Sequence, residues 1–75
     1  MLRNEPITAE VTGAGSPVRI TRAGRRFGVR VLHQWQAPGQ ARLYRLQVSG
    51  EDGTAVAVAE VVQHRGAFRL QRWWD

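Results

Sequence analysis

Seventy-five residues amount to one domain at most, and a chain this short buries only about 60% of its unfolded surface, so its core is thin. The absence of cysteine excludes a disulfide framework and a thiolate zinc site, leaving apolar packing or a partner to hold the fold. Eleven basic residues, all arginine, against six acids give a formal charge of +5. Arginine in place of lysine is what a high-GC genome produces, but the excess of base over acid points to an anionic partner.

Turn residues divide the chain into six short stretches. The cuts fall at Gly13-Ala14-Gly15-Ser16-Pro17, Ala23-Gly24, Ala37-Pro38-Gly39, Ser49-Gly50-Glu51-Asp52-Gly53 and Arg65-Gly66. Residues 1–5 are expected to fray. From Ile7 to Thr12 the side chains alternate, with Ile7, Ala9 and Val11 on one face. Val18 to Thr21 alternates likewise, and Ala23-Gly24-Arg25 reads as a tight turn into the next strand. Arg26 to Trp35 sets Phe27, Val29 and Val31 against Arg30 and Gln34. Leu32 to Gln36 is less regular and is compatible with a closing helical turn.

Leu43 to Val48 places Tyr44, Leu46 and Val48 opposite Arg45 and Gln47. Ala55 to Val62 is apolar on both faces until Glu60. Two strand readings stay open there. Either the valines face inward and a bulge near Glu60 resets the parity, or the alanines face inward where a closed barrel is tight. The alanines also admit a helix over 54–63, against which stand the β-branched valines. Ala67 to Trp74 sets Phe68 and Leu70 against Arg69 and Gln71; the same parity sends Trp74 inward and Trp73 outward.

The expectation is therefore a single all-β domain spanning 1–75. It is a six-stranded antiparallel meander curled into a small SH3-like or partly open barrel. No apolar run approaches the roughly 20 residues that cross a bilayer, and Met1 to Pro6 lacks the apolar stretch of a signal peptide. A cytoplasmic protein with no membrane partner is the expectation.

The chemistry-bearing residues argue against an enzyme. His33 and His64 lie far apart in sequence, with no nucleophile spaced to serve either. No metal set and no phosphate-cradling glycine loop stands out, and no cofactor is expected. By alternation Arg19, Arg30, Arg45 and Arg69 point away from the core on four strands. Like charges side by side repel, so a clustered row implies an anion or interleaved acids. Glu10 and Glu60 are the local counter-charges, and Arg22, Arg25 and Arg26 form a second basic patch around Gly24. Trp73, read as exposed beside Arg69, and Trp35 are candidate stacking groups for a base; packing of Trp73 against Trp35 or under the 36–40 loop is the alternative. Asp75 is placed to pair with Arg72.

Pro17, Gly24-Arg25-Arg26-Phe27, Trp35, Tyr44-Arg45-Leu46 and the run Phe68 to Asp75 resemble a short uncharacterised actinobacterial-type β domain. That domain stands alone or at the C-terminus of proteins related to Y-family DNA polymerases. An aromatic expected just before the Gly-Arg turn, at Thr21-Arg22-Ala23, and a double aromatic expected after Trp35 are missing here. The resemblance implies a β fold and DNA-repair company, and carries no activity with it.

Together these readings point to a non-catalytic module. It would bind DNA or RNA through Arg19, Arg30, Arg45 and Arg69, with Trp73 or Trp35 stacking. The alternative is a protein-interaction module that uses an exposed Trp and a free sheet edge, docking on a larger DNA-repair-type protein. A third is a homodimer rather than a monomer, burying Trp73 between copies.

Overall fold

The computed structural model describes residues 4–75. Six antiparallel strands follow one another in sequence order and close into a barrel: β1 (Glu5–Val11), β2 (Pro17–Arg22), β3 (Arg25–Gln36), β4 (Arg42–Ser49), β5 (Ala55–His64) and β6 (Ala67–Trp74). A single 3-10 turn, Pro38–Gln40, links β3 to β4. The chain is thus a meander, each strand pairing with the next. β1 closes the barrel by splitting its pairing: Thr8 to Val11 face β2, and Glu5 to Ile7 face β6.

Closure corrects two expectations. No strand runs with a whole side free, so the sheet edge invoked for strand addition is taken up by β1. Glu5, expected to fray, is part of β1 and its carboxylate accepts a hydrogen bond from Arg22 Nε at 3.0 Å. Asn4 accepts two from Arg69. Residues 1–3 of the expected frayed end lie outside the described residues.

The hairpin turns follow from local chemistry. Ala23 (φ 51°) and Gly24 (φ 79°) join β2 to β3, and Arg65 (φ 54°) and Gly66 (φ 81°) join β5 to β6. Positive φ at both central residues marks the mirror-image turn whose twist matches that of the strands it joins. Glycine takes such a φ freely; Ala23 and Arg65 take it at a steric cost.

The interior is small and apolar. Ile20, Tyr44, Leu46, Val48, Val61 and Leu70 are fully buried together with Pro17. Tyr44 carries its hydroxyl to the barrel end, where it donates to the Gly15 carbonyl at 3.5 Å. β5 is a strand along its length, and it is Ala57 and Ala59, with Val61 in the same parity, that face inward. Ala59 sits opposite Leu46 on one side and Trp73 on the other, so a small residue makes room for two large ones.

Four bulges break the alternation, one each on β2, β3, β5 and β6. The register steps over Val18, Leu32, Val56 and Gln71. A bulge leaves its extra residue without a partner and bends the strand, which is how a short sheet curls shut. Val18, Leu32 and Val56 are 43%, 45% and 42% exposed, so three of the apolar residues on the surface are there because of the bulges.

The bulges also overturn three readings by parity. Leu32 shifts β3 so that Gln34 falls opposite the inward Tyr44, while His33 and Trp35 join Arg30 on the outside. β3 continues to Gln36, and the helical turn comes after it. Gln71 shifts β6, so Trp73 turns inward against Phe27, with ring centroids 5.6 Å apart. Trp74 turns outward and is 46% exposed. The outward Trp73 expected from simple alternation is therefore corrected, and its neighbour holds the surface position instead.

Candidate nucleic-acid interface

Residues directly opposite one another in adjacent strands share a face, so the register lays out the barrel's outer surface row by row. Glu10, Arg19, Gly28 and Ser49 form one row across β1 to β4. The next holds Arg30, Gln47, Val58 and Trp74 across β3 to β6. A third holds His33, Arg45, Glu60 and Arg72, and a fourth holds Trp35, Leu43, Val62 and Arg69.

Arg19, Arg30, Arg45 and Arg69 thus occupy four successive rows, on β2, β3, β4 and β6. They form a diagonal stripe across the outer face. Arg19, Arg30 and Arg45 stand on adjacent strands, where diagonal neighbours are roughly 7–8 Å apart at the backbone and within reach of one another's long side chains. All four arginines predicted from alternation point outward, and Arg69 lies further round the barrel, beyond β5. Trp35 points outward with them, and Trp73 does not.

Each stripe residue has its own local setting. Arg19 Nη1 donates to Glu10 Oε2 at 2.9 Å, and Arg26 Nη2 lies 3.5 Å from the same oxygen. Those two guanidinium groups hold the Glu10 carboxyl below its ordinary range, the hydrogen bond from Arg19 being the largest cause. Arg45 donates to Glu60 Oε2 through Nε at 3.0 Å and Nη2 at 2.6 Å. Arg72 Nε approaches the other Glu60 oxygen at 3.9 Å. Arg69 donates to the Asn4 side-chain oxygen at 2.5 Å and to its carbonyl at 2.9 Å. Among the described residues Arg30 makes no side-chain hydrogen bond or ion pair. It stands in the middle of the stripe, opposite the neutral Gln47.

Glu60 is the carboxylate at the centre of this face, and at 8% exposure it is almost covered. It keeps Arg45 and Arg72, which would otherwise repel, in one row. This is the interleaved acid that a clustered arginine row requires. Arg72 turns to Glu60 and not, as expected, to Asp75.

Aromatic rings border the charged row. The His33 ring lies 4.9 Å from Trp35, tilted 37°, and the Arg45 guanidinium carbon is 6.0 Å from the Trp35 ring centre. Trp35 is half-buried beside Leu43 and Val62, while Trp74 shares a row with Arg30. Arg72, Trp74 and His33 were not among the expected site residues. Only the bulges at Leu32 and Gln71 put them on this side, and nothing in the local sequence marks those two positions.

The second basic patch, around Gly24, is dispersed. Arg22 pairs with Glu5 and lies 4.5 Å from the Trp73 ring centre; Arg25 lies 5.5 Å from that of Phe27; Arg26 reaches Glu10. Trp73 therefore packs under Arg22 and against Phe27, not against Trp35 or under the 36–40 loop. Among the described residues no group of three or more His, Asp or Glu side chains is arranged to hold a metal ion. His33 lies in the third row of the outer face and His64 ends β5 at the hairpin turn. No helix of the described residues is long and apolar enough to cross a membrane.

The fold and this surface define a class, a small closed six-stranded β-barrel with an arginine-striped outer face. Comparisons with protein-family models, with curated proteins and with solved structures find no match to this chain.

Proposed function

We propose that this protein is a non-catalytic nucleic-acid-binding module, holding a phosphate backbone along the diagonal of Arg19, Arg30, Arg45 and Arg69. The observation that carries the reading is the placement of four outward arginines on four successive rows winding round the barrel, three of them on adjacent strands, with Arg30 between Arg19 and Arg45 free to take an anion. Guanidinium groups bind phosphate oxygens through paired N–H donors. Trp35 and Trp74 flank the stripe and offer ring faces to bases. Binding of this kind reads backbone and stacking rather than sequence, as expected of an accessory domain. The resemblance to a domain that accompanies DNA-polymerase-related proteins supports a DNA-repair setting.

Fluorescence-anisotropy titration of labelled single- and double-stranded DNA and RNA tests this at low salt. Micromolar or tighter binding that is lost in Arg30→Glu and weakened in Trp35→Ala supports the reading. No binding of any of the four at roughly 50 mM salt overturns it, because the electrostatic term is strongest there.

A second reading rests on a different observation. Leu32 and Trp74 are exposed at 45% and 46%, and Trp with Arg at a surface is the composition of a protein-binding hot spot. A protein partner, or a second copy of the chain, would be weakened most by Trp74→Ala and little by salt. Sedimentation equilibrium of the protein alone separates monomer from homodimer.

A further inference from the structure

One glycine on the outer face is demanded by neither its conformation nor its packing. Gly28 lies inside β3, paired with Arg19 on one side and Ser49 on the other. Its φ is not positive, unlike those of Gly15, Gly24, Gly39, Gly53 and Gly66, so its backbone is open to any residue. A side chain would meet nothing either: a Cβ built there has no atom within 4 Å. Glycine in the interior of a strand weakens it, and alongside the bending of a long barrel strand, close approach of a ligand or another backbone is a physical reason to find it there.

The space over Gly28 is a groove lined by Arg19, Arg26, Phe27, Ser49, Gly50 and Glu51, among others. Arg19 and Arg26 enter it from one side, both turned toward Glu10. Each spends one nitrogen on that carboxylate and keeps further N–H donors. Ser49 and the start of the β4–β5 loop form the opposite wall. Arg30 is two residues along β3 on the same face.

We infer that the groove over Gly28 is a phosphate seat, in which Arg19 and Arg26 hold one phosphate group and the missing side chain lets it approach the strand. This deepens the proposed function and rests on it: the seat would anchor one phosphate of the backbone that follows the arginine stripe. Glu51 at the groove's edge and the Glu10 carboxylate shared by Arg19 and Arg26 both oppose an anion, so the seat is weak by itself. It gains from the neighbouring arginine contacts.

The test uses two probes on the full chain. In a 1H–15N correlation titration, inorganic pyrophosphate is expected to shift the amides of Gly28, Ser49 and Gly50 and the side-chain N–H signals of Arg19 and Arg26. Shifts spread evenly over all the arginines, or none in the groove, overturn the seat whatever oligonucleotides do. Gly28→Val fills the groove with a residue that suits a strand. It is expected to keep or raise the melting temperature while weakening oligonucleotide binding by at least tenfold. Glu51→Gln is expected to tighten binding several-fold. Oligonucleotide binding unchanged in Gly28→Val overturns the seat and leaves the arginine stripe standing. Groove shifts with pyrophosphate but no oligonucleotide binding at low salt keeps the seat and removes the nucleic-acid reading.

Discussion

Glu60 does two opposing things at the level of a single side chain. It makes close contacts to Arg45 and lies near Arg72, stabilising a row that would otherwise hold two like charges on either side of an empty place. It also occupies donors that a phosphate would use. Glu60→Gln keeps the shape and removes the charge. It is expected to cost about 1–2 kcal/mol in urea denaturation, because hydrogen bonds to a charged group are lost while both arginines keep water contact. The same variant is expected to bind oligonucleotide more tightly, since it frees two guanidinium groups and adds one unit of net positive charge. If both stability and affinity fell, Glu60 would be positioning the arginines for the ligand instead of competing with it.

Acid sensitivity belongs to the same scale. Arg19 depresses the Glu10 carboxyl, and the Thr54 amide, donating to Asp52 Oδ1 at 2.9 Å, depresses that of Asp52. A carboxyl lowered in the folded state protonates first in the unfolded chain. Its stabilisation is present above the ordinary values of 4.5 and 3.8 and is lost as pH falls through the lower folded ones. Thermal stability should therefore decline below about pH 4, and less so in Glu10→Gln, which starts lower at neutral pH. A flat profile between pH 5 and 2 would contradict this.

At the scale of the element, the hairpin turns are where the chain carries local strain. Both mirror-image turns have glycine at their second central position but Ala23 and Arg65 at the first. Asparagine tolerates positive φ better than either. Ala23→Asn and Arg65→Asn are each expected to stabilise by up to about 1 kcal/mol, raising the melting temperature by about 4–8 °C per kcal/mol for a domain of this size. The bulge on β6 makes a prediction as well. Because Gln71 turns Trp73 into the core, Trp73→Ala should destabilise by about 3 kcal/mol. Trp35→Ala, on the outer face, should instead cost about 1–3 kcal/mol of oligonucleotide binding, read by anisotropy. A loss of oligonucleotide binding without loss of stability in Trp73→Ala would contradict the inward placement of that ring.

For the whole molecule, salt dependence measures how many phosphates are held. If the four stripe arginines each displace a counterion, affinity for a single strand should fall roughly fiftyfold between 50 and 200 mM salt, and for a duplex roughly 150-fold. A slope near zero would assign the binding to stacking or to a protein-like contact. The closed barrel matters here, because it turns most of the outer surface into one continuous convex face and leaves no long edge for a partner strand.

The sequence by itself determined the class and most of the strands. Glycine and proline cuts and two-residue alternation depend only on backbone geometry within a few residues, so six strands and the inward Ile20, Phe27, Tyr44, Leu46, Val48, Phe68 and Leu70 were legible. So were the outward Arg19, Arg30, Arg45 and Arg69. The tertiary structure decided what alternation cannot express. A bulge is a mismatch between two strands, not a property of either, so the inward Trp73, the outward Trp74 and the facing of His33 and Gln34 followed only once the register around Leu32 and Gln71 was set. Whether Ala57 and Ala59 or the valines of β5 faced inward depended on the space left by Leu46 and Trp73 across the barrel. The stripe itself is of the same kind. Arginines far apart in sequence line up only because the pairing of successive strands sets their rows.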